Sequence, residues 1–237
     1  MPPPIRKKSL IKKGVRRRMK VLAGLGLSMV WLLAACGGTS HVVTQKVYTD
    51  PNREVGLQTV SESSRGEGFS HPAFLKNTDI ANVLKGLYVE RQSSISLPLM
   101  GGGESERYPV FNQNEIAFFA PLLAQGFGLA QPNEVVTFYE RGEISHLHEV
   151  RTSGGLYLQG DVLYVILSNH AAQTEIWQDV EEYHSPVRLQ PLKQLEPQPG
   201  RLVFDPPQFM VTPQNESFGT VATGKPWQVG VRFKELR

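Results

Sequence analysis

Residues 146–149, His-Leu-His-Glu, carry the side chains best suited to chemistry. On a β-strand, alternate side chains share a face, so the imidazoles of His146 and His148 can reach one metal ion. A third ligand, such as His170 or His184, has to come from elsewhere in the chain. Two histidines at this spacing are also typical of an ordinary surface strand, which is the interpretation we favour. The order differs from the helical His-Glu-x-x-His of metalloproteases.

Three other patterns with a chemical character are incomplete. Ser153 is not part of a Gly-x-Ser-x-Gly sequence, and its surroundings are typical of a turn. The glycine loop 101–103 lacks the Gly-Lys-Ser/Thr ending of a phosphate-binding loop, and the following Glu104 would repel phosphate. Glu181 and Glu182 are adjacent, so their carboxylates diverge rather than form an acid/base pair. We therefore predict no catalytic residue, no bound metal and no cofactor.

Aromatic side chains suggest binding instead of catalysis. Phe118 and Phe119 are consecutive on a predicted helix and cannot both face one core. Trp177, Tyr183 and Trp227 lie near polar or proline-rich segments, and exposed aromatic groups of this kind suit a protein partner or a glycan strand. The simpler interpretation is ordinary packing, in which Phe118 covers the proline-rich tail.

The basic residues are concentrated at the N-terminus. The chain of 237 residues has 25 Lys and Arg against 22 Asp and Glu, but nine of the basic residues lie within residues 1–20 and no acidic residue precedes Cys36. Without this segment, 16 basic and 22 acidic residues remain, a net charge of −6. Nucleic acid binding requires clustered Lys and Arg, so we expect no nucleic acid partner.

The N-terminal segment has the three parts of a secretory signal. Its basic stretch is followed by an apolar run of 15 residues at 21–35, shorter than the ~20 residues that span a bilayer as a helix. The run ends in Leu-Ala-Ala-Cys-Gly at 33–37, which resembles the lipobox of bacterial lipoproteins. The resemblance implies that residues 1–35 are a signal peptide, that the Cys36 thiol receives a diacylglycerol, and that the new amino group is acylated. Several acyl chains, at ~0.8 kcal/mol per buried methylene, hold a protein stably on a membrane.

The same resemblance carries expectations about location and start site. Gly37 follows the cysteine, whereas aspartate at this position retains many similar lipoproteins in the inner membrane. We therefore expect a lipid anchor in the outer membrane, facing the periplasm, in a Gram-negative host. Residues 19–35 form a complete signal by themselves, so translation starts at Met1 or Met19. Because Cys36 is the only cysteine, the mature protein has no disulfide and no cysteine metal site.

Composition divides the mature chain into a tether and a domain. Residues 36–68 are poor in apolar periodicity, so we expect a flexible tether with a reach of roughly 30 Å and one short strand at 41–48. Residues 69–237 are expected to form a single domain.

Two helices are predicted at the start of this domain. Asn77 or Thr78 can cap the first helix. Asn112 and Glu115 have the spacing of a capping box at the start of the second helix. Pro121 lies within the second apolar run, so it should kink or split this helix.

The remainder of the chain is typical of strands. We predict an α+β fold in which the two N-terminal helices pack on an antiparallel β-meander, followed by an extended proline-rich segment on the surface. Turns at 152–155 and at Gly160-Asp161 would separate the strands. The predicted strands are 135–139, 145–151, 156–159, 162–167 and 227–233, and the proline-rich segment is 186–213.

These expectations combine into two hypotheses. The first is a non-catalytic, lipid-anchored lipoprotein of the cell envelope that binds a protein or cell-wall partner, as part of an envelope assembly or an accessory to it. The alternative is a membrane-anchored hydrolase or metal-dependent enzyme that uses His146 and His148.

Overall fold

Antiparallel strands make up most of the described structure. The computed structural model describes residues 42–60, 68–92, 105–145, 148–175, 186–211 and 227–236. The strands are β1 (Val43–Thr49), β2 (Arg53–Thr59), β3 (Leu87–Gln92), β4 (Ser105–Pro109), β5 (Glu134–Ser145), β6 (His148–Gln159), β7 (Val162–Glu175), β8 (Arg201–Phe204), β9 (Met210–Val211) and β10 (Trp227–Val231). The helices are α1 (Asn77–Lys85), α2 (Gln113–Leu129) and the single turn α3 (Pro186–Leu189), with 3-10 turns at Pro207–Phe209 and Phe233–Glu235.

Seven of the strands form the larger sheet, in the order β1-β2-β5-β6-β7-β10-β9. Strands β5, β6 and β7 follow one another as hairpins, and Gln159 pairs with Val162 across the turn at Gly160 and Asp161. Gly160 has φ of 59°, a conformation that glycine adopts without strain, so the turn predicted here is confirmed. The closing strand predicted near 227–233 is also present, as β10 between β7 and β9.

The core lies between one face of this sheet and a layer made by α1, α2 and the smaller sheet. That smaller sheet has the order β4-β3-β8. Helix α2 begins at the predicted capping box: the Asn112 side chain accepts from the backbone N–H of Glu115 at 3.1 Å, and the Glu115 carboxylate accepts from the Asn112 N–H at 2.7 Å. Large side chains in the core that are fully buried include Leu57, Ile80, Leu84, Leu87, Phe119, Leu123, Phe127, Phe138, Leu156, Leu163 and Leu167.

The predicted fold of two N-terminal helices on a meander is wrong. The hairpin β1–β2 precedes both helices and adds two strands to the sheet, so residues assigned to the tether belong to the domain. Val55 and Leu57 on β2 are fully buried in the core. The apolar signal is weak because β1 is an edge strand in which four of the seven residues are exposed, and because β2 also buries the charged Glu54.

The proline predictions also need correction. Helix α2 continues through Pro121, whose ring is exposed. The carbonyl one turn earlier loses its hydrogen bond because proline has no N–H, but it lies on the solvent side of the helix, so the helix is not broken. Within the segment 186–213, Pro186 begins the turn α3, and β8 pairs with β3 and buries Phe204. Proline suits the first turn of a helix, because the backbone N–H groups there have no carbonyl partner within the helix. The cap of α1 differs too: Lys76 precedes the helix and makes no side-chain capping bond.

The turn predicted at 152–155 is instead the middle of β6. Pairing with β7 shifts on both sides of Ser153, as in a β-bulge. A Cβ atom on Gly154 would lie 2.0 Å from the carbonyl oxygen of Ile166 on β7. Glycine is therefore needed here for close approach of two strands rather than for a turn.

Gly154→Ala should lower the free energy of unfolding by about 3 kcal/mol, because β6 and β7 would have to separate to admit the methyl group. Gly128→Ala is the matched control: on α2 its Cβ would approach the ring of Phe74 only to 3.8 Å, so this variant should gain about 0.5 kcal/mol of stability. Urea unfolding of both variants measures the difference. Equal stabilities would contradict the close contact between β6 and β7.

Candidate functional site

Most residues singled out from the sequence lie outside the described part of the chain. His148 is the first residue of β6, where it pairs with Ser145 and Glu175, but its side chain is outside the description. His170 lies within β7, and its backbone N–H donates to Gln198 Oε1 at 2.9 Å. Within the described residues, no group of three or more His, Cys, Asp or Glu side chains is arranged to hold a metal ion. Outside the description are Cys36, 101–104, His146, Trp177, Glu181, Glu182, Tyr183 and His184.

A row of buried polar side chains crosses the face of the larger sheet that points away from the helices. Glu54 pairs with Tyr139, Tyr139 with Ser153, and Ser153 with Asn169. Directly paired residues of antiparallel strands share a face, so these four side chains lie side by side. None of the four is more than 2% exposed. We call them the polar row.

Residues 186–198, which we call the strap, cover the polar row. Ser153 Oγ donates to the carbonyl of Pro191 at 2.9 Å and accepts from Asn169 Nδ2 at 2.9 Å. Asn169 Nδ2 also donates to the carbonyl of Lys193, and Asn169 Oδ1 accepts from the N–H of Leu195, both at 2.9 Å. Among the described residues the strap pairs with no strand, so its backbone forms no ladder hydrogen bonds. The side chains of the polar row supply hydrogen bonds to the strap backbone instead.

The Glu54 end of the row is an ion pair that we call the latch. Arg188 of α3 donates from Nε to Glu54 Oε2 at 2.9 Å, and both side chains are nearly fully buried. Lys46 Nζ and Thr49 Oγ1 each lie 3.0 Å from the same carboxylate oxygen. Arg188 Nη1 also donates to the carbonyl of Pro51 at 3.1 Å. The latch therefore fixes the strap to the turn of the β1–β2 hairpin.

A second ionic group lies beside Tyr139. Arg151 Nε donates to Glu149 Oε1 at 2.8 Å, and Arg141 Nε lies 3.4 Å from Glu149 Oε2. The Arg188 guanidinium carbon is 5.7 Å from the Tyr139 ring centre. Burial raises the pKa of the Tyr139 hydroxyl, so this group stays protonated beside these charges.

In this geometry Ser153 has a structural role, which is to hold the strap. Its hydroxyl hydrogen points to a backbone carbonyl, and the strap closes the face on which it lies. Glu54, Asn169 and Arg188 were not predicted from the sequence. One local signal existed: opposite charges at Glu149 and Arg151 occupy alternate positions of a strand, which places them on one face.

The aromatic residues have structural surroundings that differ from the expectation. Phe119 is in the core, while Phe118 packs against the hairpin: Tyr48 meets its ring edge-on and the Arg53 guanidinium lies 3.7 Å above it. The proposal that Phe118 covers the proline-rich tail is wrong, because the hairpin occupies that place. Trp227 is partly buried against the core.

Glu140 is a half-buried carboxyl group near the start of α2. Burial first, with the nearby charges of Glu115 and Asp50, raises the pKa of Glu140 to about 7 against the opposing charge of Arg53. The folded protein therefore keeps this proton up to about pH 7, whereas the unfolded chain releases it near the ordinary glutamate pKa of 4.5. Between these pH values the folded state binds more protons, so its stability falls as the pH rises.

Four large apolar side chains are exposed among the described residues: Phe74, Tyr108, Leu129 and Met210. None of the described helices has both the length and the apolar character needed to cross a membrane. In comparisons with known proteins, no protein-family model, no curated protein and no solved structure matches the chain.

Glu140→Gln should remove the loss of stability between about pH 5 and pH 8. At pH 8 the variant should be more stable than the parent by about 2 kcal/mol, a value reduced for the partial exposure of the group. Urea unfolding at several pH values measures the difference between the two proteins.

The comparison with the parent cancels the contribution of His71. Burial lowers the pKa of His71 to about 4, so His71 acts in the opposite direction and makes the protein less stable as the pH falls below 6.5. Because His71 is present in both proteins, their difference isolates Glu140. Parallel pH profiles for the two proteins would refute the assignment.

Proposed function

We propose that this protein is a lipid-anchored lipoprotein of the cell envelope whose β-rich domain binds a protein or cell-wall partner. The observation that carries the proposal is the lipobox-like sequence at 33–37, preceded by an apolar run and a basic flank. Acylated Cys36 anchors the chain, in the outer membrane and facing the periplasm in a Gram-negative host.

The buried polar groups support a binding role. Ser153 and Asn169 hold the strap, and Glu54 and Arg188 form the latch. These contacts hold the strap over the larger sheet, so none of these buried groups is open to a substrate. Their structural role favours the binding hypothesis over the enzymatic one.

Strand β4 is the surface that we assign to the partner. All five of its residues are exposed, and among the described residues β4 pairs with β3 alone. The Arg91 guanidinium lies 5.8 Å from the ring centre of Tyr108, which is 42% exposed. An open strand edge with an aromatic side chain suits a partner that adds a strand or stacks a sugar ring.

Cys36→Ser should leave an uncleaved precursor without lipid, because a hydroxyl does not replace the thiol that receives the diacylglycerol. Mass spectrometry of the purified protein and fractionation of the membranes test this expectation. Gly37→Ala is the matched control and should be processed normally. A mature serine variant that remains on the membrane would refute the anchor.

A photo-crosslinking residue at Tyr108 should form an adduct with an envelope protein or with peptidoglycan in intact cells. The same residue placed at Gln125, which is exposed on α2, serves as the control and should form no such adduct. Digestion of the adduct by a peptidoglycan hydrolase distinguishes the two partners. Absence of an adduct at Tyr108, or equal adducts at both positions, would contradict the assignment of β4.

A further inference from the structure

Two of the exposed apolar side chains belong to segments that are joined by a backbone hydrogen bond. Phe74 is 94% exposed and Leu129, the last residue of α2, is 43% exposed. The N–H of Ala73 donates to the carbonyl of Phe127 at 2.9 Å, which ties the Phe74 segment to the end of α2. The Phe74 ring lies over Gly128. Exposed apolar side chains that cluster in one place are the kind of surface that marks an interaction site.

This pair lies at the end of the domain where β1 begins. Two residues beyond Leu129, the N–H of Gln131 donates to Glu134 Oε2 at 2.9 Å. The other oxygen of the same carboxylate accepts from Thr44 Oγ1 at 3.0 Å. Thr44 is the second residue of β1, so one carboxylate joins the end of α2 to the start of the sheet.

The chain between the lipid anchor and β1 is short. Cys36 precedes Val43 by seven residues, which extend at most about 25 Å. The turn at Asn52 lies at the far end of β1, about 20 Å further along the strand. An anchor at Cys36 therefore keeps the Phe74 end near the bilayer, whereas the longer tether expected from the sequence would not.

We propose that Phe74 and Leu129 insert into the lipid–water interface of the membrane that carries acylated Cys36. This proposal rests on the lipid anchor of the proposed function. Apolar side chains gain free energy when they leave water, and the anchor holds them at a high effective concentration beside the lipid. The exposed Lys76 lies two residues beyond Phe74, where its ammonium group can meet lipid phosphates.

The test uses the full lipidated chain, purified from cells and reconstituted in vesicles of phosphatidylethanolamine and phosphatidylglycerol. The lipid consumes the only native thiol, so Phe74→Cys provides a unique site for an environment-sensitive fluorophore such as NBD. Asn52→Cys, exposed at the opposite end, is the matched control, and Leu129→Cys is a second test position. Because Phe74 and Asn52 are exposed, neither change disturbs the core.

In vesicles, the fluorophores at Phe74→Cys and Leu129→Cys should show blue-shifted emission, quenching by spin-labelled lipid and protection from aqueous iodide. The fluorophore at Asn52→Cys should remain accessible to iodide. Equal iodide quenching at Phe74→Cys and Asn52→Cys overturns membrane docking and leaves the anchor intact. Protection at Phe74→Cys without quenching by spin-labelled lipid means that protein covers the site, and lipid quenching at all positions means that the domain has no fixed orientation. Either result also overturns the proposal.

The lipid mass on Cys36 is measured separately in the same preparations. Its absence refutes the proposed function and the docking together. Its presence with an iodide-accessible Phe74→Cys fluorophore refutes the docking alone.

Discussion

The Glu54–Arg188 ion pair is the contact through which two distant parts of the chain become one structure. Glu54 belongs to the hairpin that begins the domain, and Arg188 belongs to the strap, 134 residues later. Removing one member of a buried pair leaves an uncompensated charge, which costs about 3–5 kcal/mol. Domains of this kind are stable by only about 5–15 kcal/mol, so the association of hairpin and strap depends strongly on this pair.

The polar row explains why a proline-rich segment can cover a sheet. Three of the 13 strap residues are proline, which has no N–H, so the strap has fewer backbone donors than carbonyl acceptors. Ser153 and Asn169 supply donors to two of those carbonyls from the sheet. An apolar cluster on the same face, which includes Val135 and Ile166, packs against Leu192 of the strap. Polar contacts thus fix the position of the strap, and apolar burial adds to its stability.

Features that depend on neighbouring residues could be predicted from the sequence, and features that depend on distant partners could not. The capping box at Asn112 and the turn at Gly160 are local, and both are present. The candidate anchor is also a local pattern, whereas the polar row unites four strands and the strap. Gly154 shows the difference most clearly: in sequence it is typical of a turn, and only its contact with Ile166 explains it as a strand residue. A short strand was predicted at 41–48, close to β1, but it was assigned to the tether, because an edge strand keeps polar side chains and shows little apolar signal.

The two ends of the β1–β2 hairpin therefore have different roles. At one end, β1 begins seven residues after Cys36, so its position sets how far the domain extends from a lipid anchor. At the other end, the turn carries Thr49 and Pro51, which receive hydrogen bonds from Arg188 of the strap. The ladder between β1 and β2 connects the start of β1 to the central strands. In the proposed lipoprotein, the latched hairpin would thus join the membrane attachment to the whole sheet.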